Sequence, residues 1–345
     1  MKQHGDHEWC GHREITYAAV GRMFSELAGP DGTVRGATQE QYAAALDKAQ
    51  AYMDRPVGAG LIDNFANSGR RFPYAGPGPT AHSAYANPNA QAEHFMANPY
   101  PNGLEPGGKQ HGARELAVDT GYVVDRLRQA RQSLGGDMIQ HLGAAAHALQ
   151  DSYSGAHAWR DLSVYRGDPT AGVSKLHVFT PLHAVGIDDG KNTHADEFDK
   201  PPAASGSTEA AIEATYRMLS AHERGLRDPD RAEELLRETM EPLLQPSARG
   251  VEVSLTPDAA WQAERDYRMG VEQGTIPLPE PGVQHYGAES GRVSESEKAA
   301  LAKVLAPHAG GRAAAARADT GARADTAARD TGVRGKSPGQ GLARG

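Results

Sequence analysis

The stretch that most constrains this chain is residues 138–157, MIQHLGAAAHALQDSYSGAH. Met138, Leu142, Ala145 and Leu149 recur at the spacing of one apolar face of an α-helix. At 100° per residue His147 falls about 180° from Met138, and Asp151, one turn later, falls about 40° from His147. A face meant only for water would carry Lys, Glu or Gln. Here the neighbours of His147 on its own face are Gly143 and Ala144, which leave room for something to approach closely. An imidazole and a carboxylate four residues apart can converge on one ion, and zinc accepts both donor types. A solvated His–Asp pair worth little would have the same spacing. Gly155 is expected to end the helix and turn His157 back towards the same place.

The helical period extends over much of the chain. Residues 13–28 and 38–53 read as two short helices, and 110–153 as two longer ones separated at Gly135-Gly136. Ser207 looks like the N-cap of a further helix whose buried stripe is Ile212, Tyr216 and Leu219, and 229–245 and 257–272 are helix candidates. The one strand signal is VEVSL at 251–255. Residues 54–108 and 160–206, rich in Gly, Pro and Asn, read as long loops. Loops of that length in a folded domain are usually functional or disordered. The expected fold class is mainly α, a single multi-helix domain with long loops around a cleft.

Composition narrows the function classes. Residues 309–345 hold seven basic and three acidic residues and repeat RADT, so this tail carries +4 and residues 1–308 carry −12. With almost no large apolar side chains the tail cannot offset its ordering entropy, and it is expected to be disordered. The domain reading is 1–290 for the helical domain, 291–308 for a short helical extension and 309–345 for the tail. The net charge of −8 argues against a general nucleic-acid binder. Cys10 stands alone, so no intramolecular disulfide framework is possible. No apolar run is long enough for a transmembrane helix, and the N-terminus has no secretory signal, which leaves a cytoplasmic place or export by a non-classical route.

LGAAAHALQDSYSGAHAW resembles the signature of the zinc-dependent phospholipase C family and its P1/S1-type nuclease relatives. That signature is Leu-Gly-x-x-x-His-x-x-x-Asp-x-x-x-x-x-His, and Leu142, Gly143, His147, Asp151 and His157 fit every step. The resemblance implies a cleft with two or three Zn2+ ions. It implies further ligands at His12 in CGHREIT, at His94 in EHFMANPYPN, and at Asp63, the only aspartate between residues 55 and 93. His194 in NTHADEFDK would follow, with Glu197 or Asp196 as its acid partner. On this pattern Asp151 bridges; His94, His147 and Asp63 complete one ion; His157, His194 and an acid from 196–197 complete another. His12 holds a third, and Asp63 also serves as general base.

One departure concerns the third ion. Secreted members use the free α-amine of an N-terminal tryptophan as a ligand, whereas Trp9 is internal here, which leaves water or Cys10 as substitutes. Among the other histidines, His141 reads as flanking the core, while His111, His177 and His183 lie near the expected site. Trp159 reads as cleft wall or core, and Arg160 as a phosphate contact. The implied activity is phospholipase C hydrolysis of a glycerophospholipid at a membrane surface, with no stable nucleic-acid complex. A P1/S1-type single-strand nuclease or nucleotidase is the alternative, kept open by Tyr74, Tyr85 and Tyr100, and a non-catalytic metal-held helical module is the third reading.

Overall fold

The computed structural model describes residues 11–54, 91–97, 109–178, 205–254 and 259–280. Asp63, His194, Asp196, Glu197, the 291–308 extension and the tail lie outside them. Seven α-helices carry the described residues: α1 (His12–Leu27), α2 (Gln39–Asp54), α3 (Lys109–Gln132), α4 (Gly135–Asp151), α5 (Gly206–Arg227), α6 (Ala232–Leu243) and α7 (Ala259–Glu272). The fold is mainly helical, with one small sheet. No helix among the described residues is long and apolar enough to cross a membrane.

The α3–α4 hairpin forms where the glycine pair breaks the apolar period. Gly135 takes φ +56°, a left-handed value that a side chain would resist, and the chain reverses there. Leu116, Val123, Val124 and Leu127 of α3 then face Leu142, Ala145 and Leu149 of α4 in the core. Fully burying each such leucine is worth about 1.5–3 kcal/mol.

The helix read as two-faced is enclosed. Every residue of α4 from Leu142 to Asp151 is buried, because α1, α2, α3 and α5 all pack around it. The small residues beside His147 therefore serve a different purpose from the one expected. A Cβ on Gly143 would lie 2.5 Å from the Cβ of Ala49, so Gly143 lets α2 approach, not a ligand.

The other side of α4 is closed by α5. Its N-cap is Ser205, whose side chain accepts from the amide of Thr208, and not Ser207. The hydroxyl of Ser207 turns inward to Glu272 of α7. Ser205 satisfies one of the orphan amides of the first turn while Ser207 already has helical geometry. Sequence position alone does not separate two serines two residues apart. Ala210, Ala211 and Ala214 keep the buried face of α5 thin, and Arg22 of α1 bridges Glu209 and Glu213 along its rim.

The segment read as loop from 160 onward contains a strand and a 3-10 turn, and a second strand ends at its first residue. β1 (Ala158–Arg160) pairs antiparallel with β2 (Val173–His177), and β2 pairs parallel with β3 (Glu252–Ser254). β3 lies within the VEVSL stretch read as a strand, whereas β1 and β2 show no clear period of two. Each is held by its partner rather than by its own pattern.

This sheet also settles Trp159 and Arg160. Trp159 is 1% exposed and lies between two cations, Lys175 Nζ at 4.3 Å and Arg268 Cζ at 4.7 Å from its ring centre. Arg160 is buried as well. It donates to the carbonyls of Ser152 (2.9 Å), Ala171 (2.8 Å) and Leu243 (2.9 Å) and to Ser152 Oγ (2.7 Å), and its guanidinium stacks on the Tyr153 ring at 3.9 Å. The guanidinium expected to meet a phosphate instead ties together the end of α4, the β1–β2 connection and the end of α6. Five N–H donors in a rigid fork suit that task better than lysine's point charge.

Candidate metal centre

Four segments bring four imidazoles to the carboxylate of Asp151. The first two ligand candidates share α4: His147 Nε2 lies 3.1 Å from Asp151 Oδ2. His12 opens α1, and its Nε2 lies 3.1 Å from Asp151 Oδ1. His94 comes from the turn 91–97, with Nδ1 3.2 Å from Asp151 Oδ2 and 3.0 Å from His147 Nε2. His157 follows α4 and places Nδ1 3.7 Å from Asp151 Oδ2. Two groups with the spacing of metal ligands result: His12, His147 and Asp151, and His94, Asp151 and His157. Asp151 belongs to both, one oxygen facing His12 and the other the remaining three histidines.

Local structure explains each placement. α4 ends at Asp151, four residues before the glycine expected to end it, and a series of tight turns follows. Ser154 N bonds to Asp151 O, and His157 N and Ala158 N both bond to Ser154 O, which folds His157 back beside the helix end. In the 91–97 turn, His94 N and Met96 N both reach Gln91 O. Phe95 has φ +53°, uncommon for a bulky residue. Its ring is fully buried, so the apolar anchor holds the strained residue while His94 points the other way. Ala97 N then bonds to His177 O and His177 N to His157 O, so β2 straps the two histidine segments together.

Hydrogen bonds bear on which ring nitrogen two of the candidate ligands, His157 and His12, can offer. His157 Nδ1 donates to His94 O at 2.9 Å, leaving Nε2 as the nitrogen with a lone pair. His12 Nδ1 lies 2.8 Å from Gln150 Oε1, which accepts from it in the tautomer that carries the proton on Nδ1. In that tautomer Nε2, which faces Asp151 Oδ1, carries the lone pair a metal would need. Fixing one ring nitrogen by a protein acceptor is what ligating histidines generally require.

Electrostatics and spacing both fit a cation. Burial by itself pushes the Asp151 carboxyl up, yet the imidazoles of His157, His147 and His12 outweigh it and hold that carboxyl well below the usual carboxylate range. His147 Nε2, His94 Nδ1 and Asp151 Oδ2 stand 3.0, 3.1 and 3.2 Å apart. A tetrahedral zinc with bonds of about 2.0 Å separates its donor atoms by roughly 3.3 Å. Three lone-pair atoms this close repel unless a proton or a cation sits among them. The two clusters at Asp151 can hold a metal ion.

The remaining histidines fall elsewhere. His141 is half-buried, with Arg126 Nη1 3.3 Å from its Nδ1, and belongs to neither metal-spaced group. His111 sits 3.8 Å from Glu115 within α3, in neither metal-spaced group. His177 is buried with its ring edge-on to Trp159, centroids 5.4 Å apart. Gln150, absent from the expected site, is 3% exposed and bonded to a ligand. The available hint is an amide at the end of the Ala-rich half of α4, where an alanine would serve packing better.

No protein-family model matches the chain, and neither curated proteins nor solved structures yield a match.

Proposed function

We propose that this protein is a zinc-dependent phosphodiesterase of the phospholipase C type, with a phospholipase C/P1 nuclease-like fold. It would hydrolyse the glycerol–phosphate bond of a glycerophospholipid at a membrane surface and release diacylglycerol and a phosphorylated headgroup. The observation that carries the reading is one buried carboxylate shared by four imidazoles from α1, the 91–97 turn, α4 and the segment after it. A structural ion is satisfied by a closed set of four ligands. A shared carboxylate with donors on both oxygens instead suits ions held close together, the arrangement used for phosphoester hydrolysis.

Asp151 would bridge, His12 would hold one ion, and His94, His147 and His157 would serve the others, with Asp63, His194 and Asp196 or Glu197 completing the set. Zinc there would neutralise charge developing on the phosphate oxygens and acidify the attacking water. The chain's own contribution is orientation and access. His147 is fully enclosed and forms the floor, whereas the His94 side chain is 28% exposed and that of His12 13%. The phosphodiester would therefore enter from the His94 and His12 side. Asp63 is assigned the task of taking the proton from the attacking water.

The test pairs phosphatidylcholine vesicles with single-stranded DNA, each with and without a chelator. Chelator-sensitive release of phosphocholine supports the reading. Cleavage of DNA alone would move the protein to the nuclease branch, and inertness towards both would leave a metal-held structural module.

A further inference from the structure

We propose that Gln150 is a positioning residue that sets the tautomer of His12 and thereby decides whether the His12-held ion binds. The inference rests on the metal reading above, and the signature resemblance leaves position 150 unspecified.

The assignment follows from counting donors. Thr215 Oγ1, on α5, uses its single proton on Ala211 O at 2.8 Å. Only its lone pairs remain for Gln150, 3.4 Å away, so the NH2 end of the Gln150 amide must face it. The same NH2 reaches Thr16 Oγ1 at 3.1 Å, where Gln50 Nε2 also donates at 2.8 Å. With its nitrogen so engaged, Gln150 presents Oε1 to His12 Nδ1 at 2.8 Å. His12 must then donate from Nδ1 and keep the Nε2 lone pair towards Asp151 Oδ1, 3.1 Å away. A flipped amide would set carbonyl against the Thr215 lone pairs and demand the opposite tautomer, with a proton on the ligating nitrogen.

The network joins α1, α2, α4 and α5 and is dry: Thr16 and Thr215 are fully buried, Gln50 1% and Gln150 3% exposed. In such surroundings an unpaired amide or hydroxyl is costly, which favours the one orientation of Gln150 that pairs both of its ends, although Gln50 Oε1 in the same network has no partner among the described residues. Buried Gln150 is thus matched in chemistry to His12.

The experiment measures zinc per chain on full-length, zinc-loaded protein after dialysis against graded citrate, for wild type, Gln150→Leu and Gln150→Glu. Gln150→Leu removes the acceptor and should weaken one ion about ten- to a hundredfold, the usual cost of losing such a partner. Gln150→Glu restores an acceptor for Nδ1–H and should hold that ion at least as well as wild type, while melting lower when metal-free because it buries a charge. A merely structural Gln150 predicts the reverse, with the glutamate variant losing metal along with stability. Should Gln150→Leu not fold, 15N NMR of zinc-loaded wild type reads the tautomer directly. A proton on His12 Nδ1 supports the proposal, and one on Nε2 overturns it. Wild type that holds no zinc sinks the metal reading itself. Wild type holding two or more ions, with both variants indistinguishable from it, sinks only the role of Gln150.

Discussion

His147 Nε2 and Asp151 Oδ2 lie 3.1 Å apart, one helical turn from each other on α4, and neither side chain is more than 5% exposed. A buried carboxylate this close to imidazole nitrogens is the hub of the cluster, and removing either partner leaves the other stranded. His147→Ala and Asp151→Asn are each expected to lower zinc retention and hydrolysis by at least about a hundredfold while leaving most helix content in place. Metal analysis and circular dichroism check this together. Undiminished zinc in Asp151→Asn would remove the hub from the account.

The candidate ligands come from α1, the 91–97 turn, α4 and the segment after it, so binding of a metal there would be coupled to the closing of these pieces onto one another. Chelation should lower the melting temperature as well as abolish activity, and added zinc should raise it in proportion to the logarithm of its free concentration. Chelator-free protein should carry two or three zinc ions per chain. A count of one or none would end the multi-ion reading.

Arg160 offers a contrast to the cluster. Its removal leaves the carbonyls of Ser152, Ala171 and Leu243 without their donor in a dry interior. Arg160→Ala should cost about 3–5 kcal/mol by chemical denaturation, and Arg160→Lys should recover little of it because a single ammonium cannot match the fork. Zinc content per folded chain should not change. Full stability with lost turnover would instead return Arg160 to the substrate.

His222 on α5 governs a different pH response. It is buried, neither ring nitrogen has a hydrogen-bond partner, and burial followed by the nearby Arg131 and Arg35 pushes its pKa down to about 3. The folded value lies below the ordinary 6.5, so protonation favours the unfolded chain. The stability His222 contributes is complete above pH 6.5 and drains away as pH falls towards 3, by at most about 1.4 kcal/mol per pH unit. His222→Leu should flatten this acid limb between pH 6 and 4 in denaturation midpoints measured on zinc-free protein. An unchanged slope would assign the acid sensitivity to other groups.

Gly143→Ala tests the packing that encloses α4. The added methyl would meet the Cβ of Ala49 at 2.5 Å and the backbone of Ala49 and Gln50 just beyond. Overpacking of this kind typically costs about 1–3 kcal/mol. Because Gln50 feeds the Thr16–Gln150–His12 chain, the variant should also loosen the His12-held ion. Wild-type melting would show that α2 can shift without strain.

The sequence by itself determined the helical framework. An apolar stripe repeating every three or four residues and a glycine pair at its interruption are local signals, and α1, α2, α3, α4, α6 and α7 answer to them within a few residues. It also determined that His147 and Asp151 meet, since one helical turn is a fixed distance. It did not determine what surrounds them. Gly143 reads equally well as room for a ligand or room for a helix, and only the approach of α2 decided for the helix. Arg160 reads as a phosphate contact, and three carbonyls from distant elements made it a buried strut. Two short strands escaped notice because their hydrogen bonds are made to each other and to β3, across gaps in the chain that no local pattern spans. Gln150 is the sharpest case. Its identity is written in the sequence, but its orientation depends on a threonine proton donated to Ala211 some sixty residues away, and such a chain of donors and acceptors exists only once the helices have packed.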